Sequence, residues 1–343
     1  MIPLIAQLSG EHPSLPLSEL SSLLKILGST PVVEVLHPRL ALFRASRGEG
    51  ELIGGRAGYV KTLIEPVLTA ELGALGKDVE VGSSDVLNHA ATFAVRAVKI
   101  GEVGISRVLI ENWIGAVIRR AYPHLRVDLT NPSLEVVALV TPSRVYAGPR
   151  VSRLDARVFE QRRPGRRPFR HPSALMPRLA RCMVNLAQIR IGGTILDPFA
   201  GTGSIPIEAA KLGYRALAIE VDRWIARGCL RNLKHYRLDY STQVICGDST
   251  TPPLRGGVDA IVTDPPYGRS TKLGGKSLQD LYLTAFRELT DLLPDGARVV
   301  TAIPQQHLDL QLLTDLGLEL AESHTVRVHS GLTRIICIYT CNR

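Results

Sequence analysis

The sequence has few cysteines and no long apolar run. Its five cysteines are scattered and never form a C-x-x-C pair, which argues against a disulfide framework or a structural zinc site. No apolar stretch approaches the ~20 residues that a membrane-spanning helix needs. The first residues also lack the basic region and cleavage site of a signal peptide. We therefore expect a cytoplasmic protein without a metal site.

The length and composition predict a folded protein with more than one domain. A chain of 343 residues is too long for one ordinary core, so two or three domains are expected. Hydrophobic residues at 45% and charged residues at 21% are typical of globular proteins. Neither disorder nor a fibrous repeat is indicated.

The net charge of +9 lies in one short segment. Residues 1–149 hold 14 basic and 14 acidic residues, residues 150–181 hold ten arginines against two acids, and residues 182–343 hold 17 against 16. Such a segment attracts a polyanion through counterion release, and arginine suits forked contacts to phosphate. A solvated linker, kept extended by its own repulsion, is the alternative.

Residues 150–177 also carry four prolines and little periodicity, so they form a natural boundary. Downstream, strands alternate with helices, which predicts crossover units and a mainly parallel sheet. The predicted strands are 194–199, 215–221, 242–247, 258–263 and 297–303, the helices are 204–212, 223–235 and 278–293, and an antiparallel pair, 319–328 and 333–340, turns around Ser330 and Gly331.

The upstream half predicts two small mixed units. The first has strands at 2–8, 32–36 and 40–45 with a helix at 17–27, and the second has extended segments at 92–100, 127–129 and 136–140 with a helix at 105–121. Neither unit shows a cluster of catalytic residues.

A Gly-rich segment, Asp197-Pro-Phe-Ala-Gly-Thr-Gly203, stands where an apolar strand changes to a helical pattern. Glycines there let the backbone turn sharply and approach a ligand at the carboxyl end of a parallel sheet. The spacing is not that of dinucleotide sites or phosphate loops, so a cofactor without phosphates fits better. A Gly-rich turn without a ligand is the alternative.

Acidic residues follow the next two strands. Glu220 and Asp222 end the second strand, where a carboxylate can accept hydrogen bonds from both hydroxyls of a ribose. Asp248 follows the third strand and is placed for an adenine amino group. Any one of these acids can instead cap a helix.

A further segment, Asp264-Pro-Pro-Tyr-Gly268, directly follows an apolar strand. The exocyclic amine of a nucleobase is a poor nucleophile, because its lone pair is delocalised into the ring, and it needs placement and electrostatic help. A carboxylate and a proline carbonyl can accept the two amine hydrogens, a tyrosine can stack on the base, and prolines fix the backbone. A rigid turn that closes a strand is the alternative. The predicted catalytic residues are Asp264, Pro265, Pro266 and Tyr267.

These two motifs resemble the cofactor and target-base motifs of class I amino-methyltransferases that use S-adenosylmethionine. The resemblance implies that cofactor, and a Rossmann-like α/β domain whose mainly parallel seven-stranded sheet ends in an antiparallel pair. Glu220 replaces the commoner Asp, which keeps the carboxylate. The residues predicted to bind the cofactor are Asp197, Phe199, Ala200, Gly201, Gly203, Glu220, Val221, Asp222, Asp248 and Ser249.

The flanking segments indicate the substrate. Arg167-Pro-Phe-Arg-His-Pro172 and residues 175–187 resemble the region before the catalytic domain in archaeal tRNA guanine-10 N2-methyltransferases. Val127-Asp-Leu-Thr-Asn-Pro132 and Tyr146-Ala-Gly148 resemble the end of a THUMP domain, a tRNA-binding module, although core residues of any α+β domain would look the same. The resemblance implies methylation of the exocyclic N2 of a guanine in tRNA. The family that it resembles implies guanine 10 as the target.

The expected domains are an α+β ferredoxin-like domain at 1–68, a THUMP domain at 69–149, a basic linker at 150–177 and a methyltransferase domain at 178–343. A chain with its own recognition domains can act as a monomer. A DNA amino-methyltransferase and a tRNA-binding protein with a relict cofactor pocket are the alternatives. Contacts to tRNA are predicted for Arg163, Arg166, Arg167, Arg170 and His171.

Overall fold

The structure, a computed structural model, describes residues 1–171, 174–267, 278–305, 313–329 and 332–342. Its contacts define two compact units. The first comprises residues 1–17, 30–55 and 59–154, and the second comprises residues 18–29, 56–58 and 155–343. Two short early segments therefore group with the C-terminal residues. The predicted domain boundaries at 68, 149 and 177 do not coincide with these units, and they stay predictions.

The first unit is built on one sheet. Its strands run in the order β2-β3-β1-β4-β9-β8-β6-β7, with β5 paired to β9. The antiparallel pairing of β4 with β9 joins the strands of the two predicted N-terminal domains. The strands are β1 (Ile2–Leu8), β2 (Val33–His37), β3 (Leu40–Ala45), β4 (Val60–Ile64), β5 (Leu68–Glu71), β6 (Thr92–Lys99), β7 (Arg126–Val127), β8 (Leu134–Val140) and β9 (Arg144–Arg153).

The first four helices of the chain are α1 (Leu15–Ile26), α2 (Arg47–Arg56), α3 (Asp85–His89) and α4 (Arg107–Ala121). Helix α4 follows the pattern that predicted it. Ser106 caps it by accepting a hydrogen bond from the Leu109 amide at 3.3 Å. Ile110, Ile114 and Ile118 recur at helical spacing and are fully buried in the core beneath β6 and β8. The elements α2, α3, β4, β5 and β9 were not predicted, and the end of β9 lies in the segment predicted as a linker.

The second unit contains a seven-stranded sheet in the described residues, in the order β12-β11-β10-β13-β14-β16-β15. The five strands β10 to β14 are parallel to one another, and β16 is antiparallel to both of its neighbours, β14 and β15. The predicted parallel sheet with an antiparallel last pair is confirmed. The strands are β10 (Thr194–Asp197), β11 (Arg215–Glu220), β12 (Thr242–Cys246), β13 (Ala260–Thr263), β14 (Arg298–Pro304), β15 (Leu318–His329) and β16 (Leu332–Cys341). The turn predicted at Ser330 and Gly331 lies outside the described residues.

The helices of this unit are α5 (Ala156–Glu160), α6 (Pro177–Leu186), α7 (Ser204–Lys211), α8 (Arg223–His235) and α9 (Leu278–Thr290). Helices α7 and α8 connect successive parallel strands, as the alternating pattern predicted. Because parallel strands end at the same edge of a sheet, the loops after β10, β11, β12 and β13 all lie along one edge. That edge carries the predicted motifs.

A buried ionic cluster holds the segment before α6 against α7. Glu208 is fully buried, and it accepts hydrogen bonds from Arg162 at 2.7 and 3.0 Å and from Arg181 at 2.8 Å. The ring of Phe159 lies 5.1 and 5.4 Å from the two guanidinium carbons. Residues 155–171 thus contain helix α5 and buried charges, whereas the sequence predicted an irregular linker.

We expect Glu208→Ala to lower the free energy of unfolding by about 3 to 5 kcal/mol, because it leaves two buried guanidinium groups without their counter-charge. Urea unfolding of the full chain measures this change. The matched control is Glu288→Ala, an exposed acid on α9, which should change stability by at most about 0.5 kcal/mol. Equal effects of the two substitutions would contradict a structural role for the cluster.

Candidate active site

The Gly-rich loop after β10 turns on two glycines with positive φ. Gly201 has a φ of 50° and Gly203 a φ of 87°, a region that other residues rarely adopt. A Cβ atom at Gly203 would lie 2.8 Å from the Sγ of Cys229 in α8, so this position also permits close packing. The Ala200 amide donates to the carbonyl of Ile219 at 2.9 Å, which fixes the loop against β11.

Asp197 links the loop to the strand of the second motif. Its Oδ1 accepts hydrogen bonds from the Phe199 amide at 3.2 Å and from the Thr263 hydroxyl at 2.8 Å. Burial raises the pKa of Asp197 to about 7, and the nearby carboxylates of Asp264 and Glu220 add to the rise. The side chain is 3% exposed, so it holds the loop from inside the protein through these hydrogen bonds.

The carboxylates of Glu220 and Asp222 accept hydrogen bonds from backbone amides. Glu220 accepts from the Gly201 amide at 3.0 Å and from the Asp222 amide at 2.9 Å. Asp222 caps α8 by accepting from the amides of Trp224 and Ile225 at 2.8 and 3.1 Å. For Asp222 the alternative, a helix cap, is present in the structure. Ribose binding by either acid stays a prediction, and the exposed Val221 lies between them.

The loop after β12 is tied to the Gly-rich loop. The buried Ser249 donates its hydroxyl proton to the carbonyl of Pro198. Asp248 is exposed, and its Oδ1 accepts from both the amide and the hydroxyl of Thr250 at 2.8 Å. Ser249 therefore fixes the loop after β12 against the Gly-rich loop, and cofactor binding by Asp248 and Ser249 stays a prediction.

Asp264 follows β13 and has partners on both oxygens. The Tyr267 hydroxyl donates to Oδ1, and Arg334 of β16 places a guanidinium nitrogen 3.4 Å from Oδ2. The same guanidinium carbon lies 5.1 Å from the centre of the Tyr267 ring. Burial raises the pKa of Asp264, and the charge of Arg334 opposes that rise. Gly268, the last residue of the motif, lies outside the described residues.

Two residues that contact the Asp264 turn were missed by the sequence analysis. Tyr282 of α9 donates to the carbonyl of Pro266 at 2.5 Å and so fixes the turn. Arg334 is 7% exposed, and its Nε has no hydrogen-bond partner among the described residues. A lone arginine in the apolar run of β16 was the signal for it, because a buried charge needs a counter-charge. Nothing in the sequence signals Tyr282.

The predicted tRNA-binding residues divide into two groups. Arg163, Arg166 and Arg170 are exposed, and His171 is half-buried. Burial raises the pKa of Glu220, and the nearby His171 is one of the groups that oppose this rise. Arg167 is 1% exposed and donates to the Ser204 hydroxyl at 2.8 Å. Arg167 therefore fixes the start of α7 through this hydrogen bond, and its burial does not favour the predicted contact with tRNA. Pro172 lies outside the described residues.

In the described part of the chain, no helix is long and apolar enough to cross a membrane. Among the same residues, no group of three or more His, Cys, Asp or Glu side chains could hold a metal ion.

Family models match both halves of the chain. Residues 79–147 match the THUMP domain, and residues 164–336 match the RMKL-like methyltransferase domain. A tRNA (guanine(10)-N2)-dimethyltransferase of Methanothermobacter thermautotrophicus is 35% identical over 331 residues, which cover 96% of each chain. A tRNA (guanine(6)-N2)-methyltransferase of Thermus thermophilus is 30% identical over 308 residues, covering 84% of this chain and 86% of that protein. The crystal structure of TrmN from Thermus thermophilus has the same fold, with a TM-score of 0.55, 24% identity, and coverage of 98% and 99%.

The sheet order, the Gly-rich loop and the Asp-Pro-Pro-Tyr turn define a methyltransferase of the Rossmann-like class. The chain belongs to the family of the archaeal dimethyltransferase, which combines a THUMP domain with an RMKL-like methyltransferase domain. The family and the enzyme class predicted from the sequence are confirmed.

The buried carboxyl of Asp197 should make stability depend on pH. Its pKa is about 7 in the folded protein and near 3.8 in the unfolded chain, so the folded state binds more protons between these values. Stability should therefore fall as pH rises, by about 2 kcal/mol between about pH 5 and pH 8. Asp197→Asn should lack this component in urea unfolding at the two pH values. Asp239→Asn, at an exposed position, is the control and should keep it. An unchanged pH dependence in Asp197→Asn would contradict the prediction.

Proposed function

We propose that this protein transfers methyl groups from S-adenosylmethionine to the exocyclic N2 of a guanine in tRNA, with guanine 10 as the target. The observation that carries the proposal is the adjacency of the two motifs. The Thr263 hydroxyl, one residue before Asp264, bonds to Asp197, the first residue of the Gly-rich loop, at 2.8 Å. A base held at Asp264 would thus lie beside a cofactor held on that loop.

The residues of the loop fit S-adenosylmethionine. A Cβ atom at Gly201 would meet no atom within 4 Å, so the backbone there faces open space that a ligand can fill. Gly201 and Gly203 would pass beneath the cofactor, the exposed Val221 would contact its adenine, and the acids after β11 and β12 would bind its ribose and base. When bound, S-adenosylmethionine supplies an electrophilic methyl group on a sulfonium sulfur.

The Asp264 turn supports placement of an amine. A carboxylate has about four lone-pair sites, so Asp264 can accept an amine hydrogen while it keeps Tyr267 and Arg334. The carbonyl of Pro265 is the second acceptor, and together they direct the nitrogen lone pair toward the methyl group. Tyr267 stacks on the base, and Tyr282 keeps the turn in place through Pro266. A guanine inside a helix must rotate out to reach this turn.

The relatives support tRNA as substrate and favour guanine 10. The archaeal relative named for guanine 10 covers more of this chain, at higher identity, than the bacterial relative named for guanine 6. A pocket that admits the monomethylated amine would give N2,N2-dimethylguanosine, and one that excludes it would give N2-methylguanosine. Nucleoside analysis of the product separates these outcomes.

We expect Asp264→Ala to reduce methylation about 100- to 1000-fold, because the amine loses a preorganised acceptor. The assay incubates the protein with unmodified tRNA transcript and methyl-labelled S-adenosylmethionine, then identifies the labelled nucleoside. Cofactor affinity should change little, and Asp239→Ala, in an exposed loop, is the control. Retained methylation in Asp264→Ala would overturn the assignment of Asp264. Label in DNA and none in tRNA would overturn the substrate.

Arg334→Gln should move the acid limb of the methylation rate to higher pH. Burial raises the pKa of Asp264, and Arg334 and the Tyr267 hydrogen bond oppose that rise. Loss of Arg334 leaves only the hydrogen bond in opposition, so the carboxylate takes up a proton at higher pH. Asp197, Tyr267 and Tyr282 are titratable groups that also face Asp264. The pH profiles of the variants are therefore compared with one another, and no single profile is assigned to Asp264 alone. Arg334→Lys should show a smaller shift, because it keeps the positive charge. Arg327→Gln, at an exposed position of β15, should show no shift. A lower rate with an unmoved acid limb would show that Arg334 has only a structural role.

A further inference from the structure

Helix α8 concentrates positive charge that the counts over longer segments concealed. Its 13 residues include four cations, Arg223, Arg227, Arg231 and Lys234, and no acidic residue. All four side chains are exposed, and none has an ion-pair partner among the residues that the structure describes. Unpaired charges in water repel one another, so such a cluster weakens the free protein slightly and favours a polyanion.

The four cations lie on one face of the helix. They recur every three or four residues, which places them in one stripe along the axis. The opposite face is buried and holds Ala226, Gly228, Cys229, Asn232 and Leu233. At 1.5 Å per residue, the stripe from Arg223 to Lys234 is about 16 Å long. We call this set of four cations the α8 stripe.

An exposed aromatic side chain stands at the amino end of the stripe. Trp224 is 64% exposed, although tryptophan is usually among the more buried residues. Its ring is held by Phe169, with the two centres 4.6 Å apart in an edge-to-face contact. A fixed and exposed indole beside cations is the combination that binds single-stranded nucleic acid, where bases stack and phosphates pair with charge.

Helix α8 packs against the arginine-rich segment before α6. Asn232 accepts from the Phe169 amide at 2.9 Å and donates to the Phe169 carbonyl at 3.0 Å. The Phe169 ring occupies the space above Gly228, where a Cβ atom would lie 2.1 Å from it. The exposed Arg166 and Arg170 flank this anchored residue in the chain. Phe169 therefore packs on the buried side of α8, and its ring reaches the exposed part of the helix only at Trp224.

We infer that the α8 stripe, with Trp224, binds the sugar-phosphate backbone of the tRNA substrate beside the cofactor loop. The inference rests on the proposed function for the identity of the polyanion. According to this inference, the methyltransferase domain binds tRNA directly through α8, in addition to any binding by the THUMP domain. Asp222, which caps α8, fixes the stripe relative to the end of β11 and so relative to the site.

The test compares two charge-matched triple variants of the full chain. The first, Arg227→Gln/Arg231→Gln/Lys234→Gln, removes three charges from the stripe and spares Arg223, which adjoins Asp222. The control, Arg190→Gln/Lys211→Gln/Arg215→Gln, removes three exposed charges near the opposite edge of the same sheet. Binding of unmodified tRNA transcript is measured over a series of salt concentrations. Urea unfolding and S-adenosylmethionine affinity show whether each variant is folded.

We expect the stripe variant to bind tRNA about 10- to 100-fold more weakly, with a salt slope smaller by about 2 to 3, because three phosphate contacts are lost. The KM for tRNA should rise accordingly. The control should keep the affinity and slope of the wild type. Tryptophan emission should change when tRNA binds the wild type, and Trp224→Phe should remove most of that change, because the other tryptophan, Trp113, is buried.

Unchanged tRNA binding in the stripe variant, or an equal loss of binding in the control, would overturn the inference that the α8 stripe binds tRNA. Failure of the proposed function gives a different result. A wild-type protein that binds tRNA without methylating it overturns the reaction, while the variants still judge the surface. A wild-type protein that binds no tRNA overturns both.

Discussion

The hydrogen bond from Thr263 to Asp197 is the interaction on which the site depends. It joins the last residue of β13 to the last residue of β10, so the two motifs start from a shared point. Neighbouring parallel strands place their ends side by side, but a loop after a strand can still leave in many directions. A buried donor and acceptor, held by the pleat of both strands, remove much of that freedom. The Gly-rich loop and the Asp-Pro-Pro-Tyr turn therefore keep a fixed separation.

A second constraint acts on the other side of the same loop. Glu208 lies one turn into α7 and gathers Arg162 and Arg181, while Arg167 bonds to Ser204 at the first residue of that helix. Three guanidinium groups are thus buried around the start of α7 with one carboxylate between them. Burying these charges has a desolvation cost, and the ion pairs and hydrogen bonds offset that cost only in one arrangement of the side chains. The segment before α6 is therefore part of the structure that holds the cofactor loop.

Much of the fold and part of the site could be predicted from the sequence because their signals are local. Apolar runs that alternate with helical patterns specify β10 to β14, and glycines with positive φ specify the loop. Arg334 could not be assigned in this way, since 70 positions separate it from Asp264 and only the antiparallel return of β16 brings them together. The direction of Arg167 was equally hidden, because charge counts along a chain do not tell buried cations from exposed ones.

Arginine has two opposite roles in this protein, and burial separates them. Arg162 at Glu208 and Arg334 at Asp264 are buried beside a carboxylate, which balances their charge inside the protein. Along α8 the four exposed cations form no ion pair among the described residues, so their charge stays in water and acts at a distance set by the ionic strength. The net charge of +9 is therefore a poor guide to where a polyanion is attracted, since each ion pair cancels in that sum and the sum does not say where the other charges lie. The unpaired remainder, located by the fold, decides where a nucleic acid is drawn.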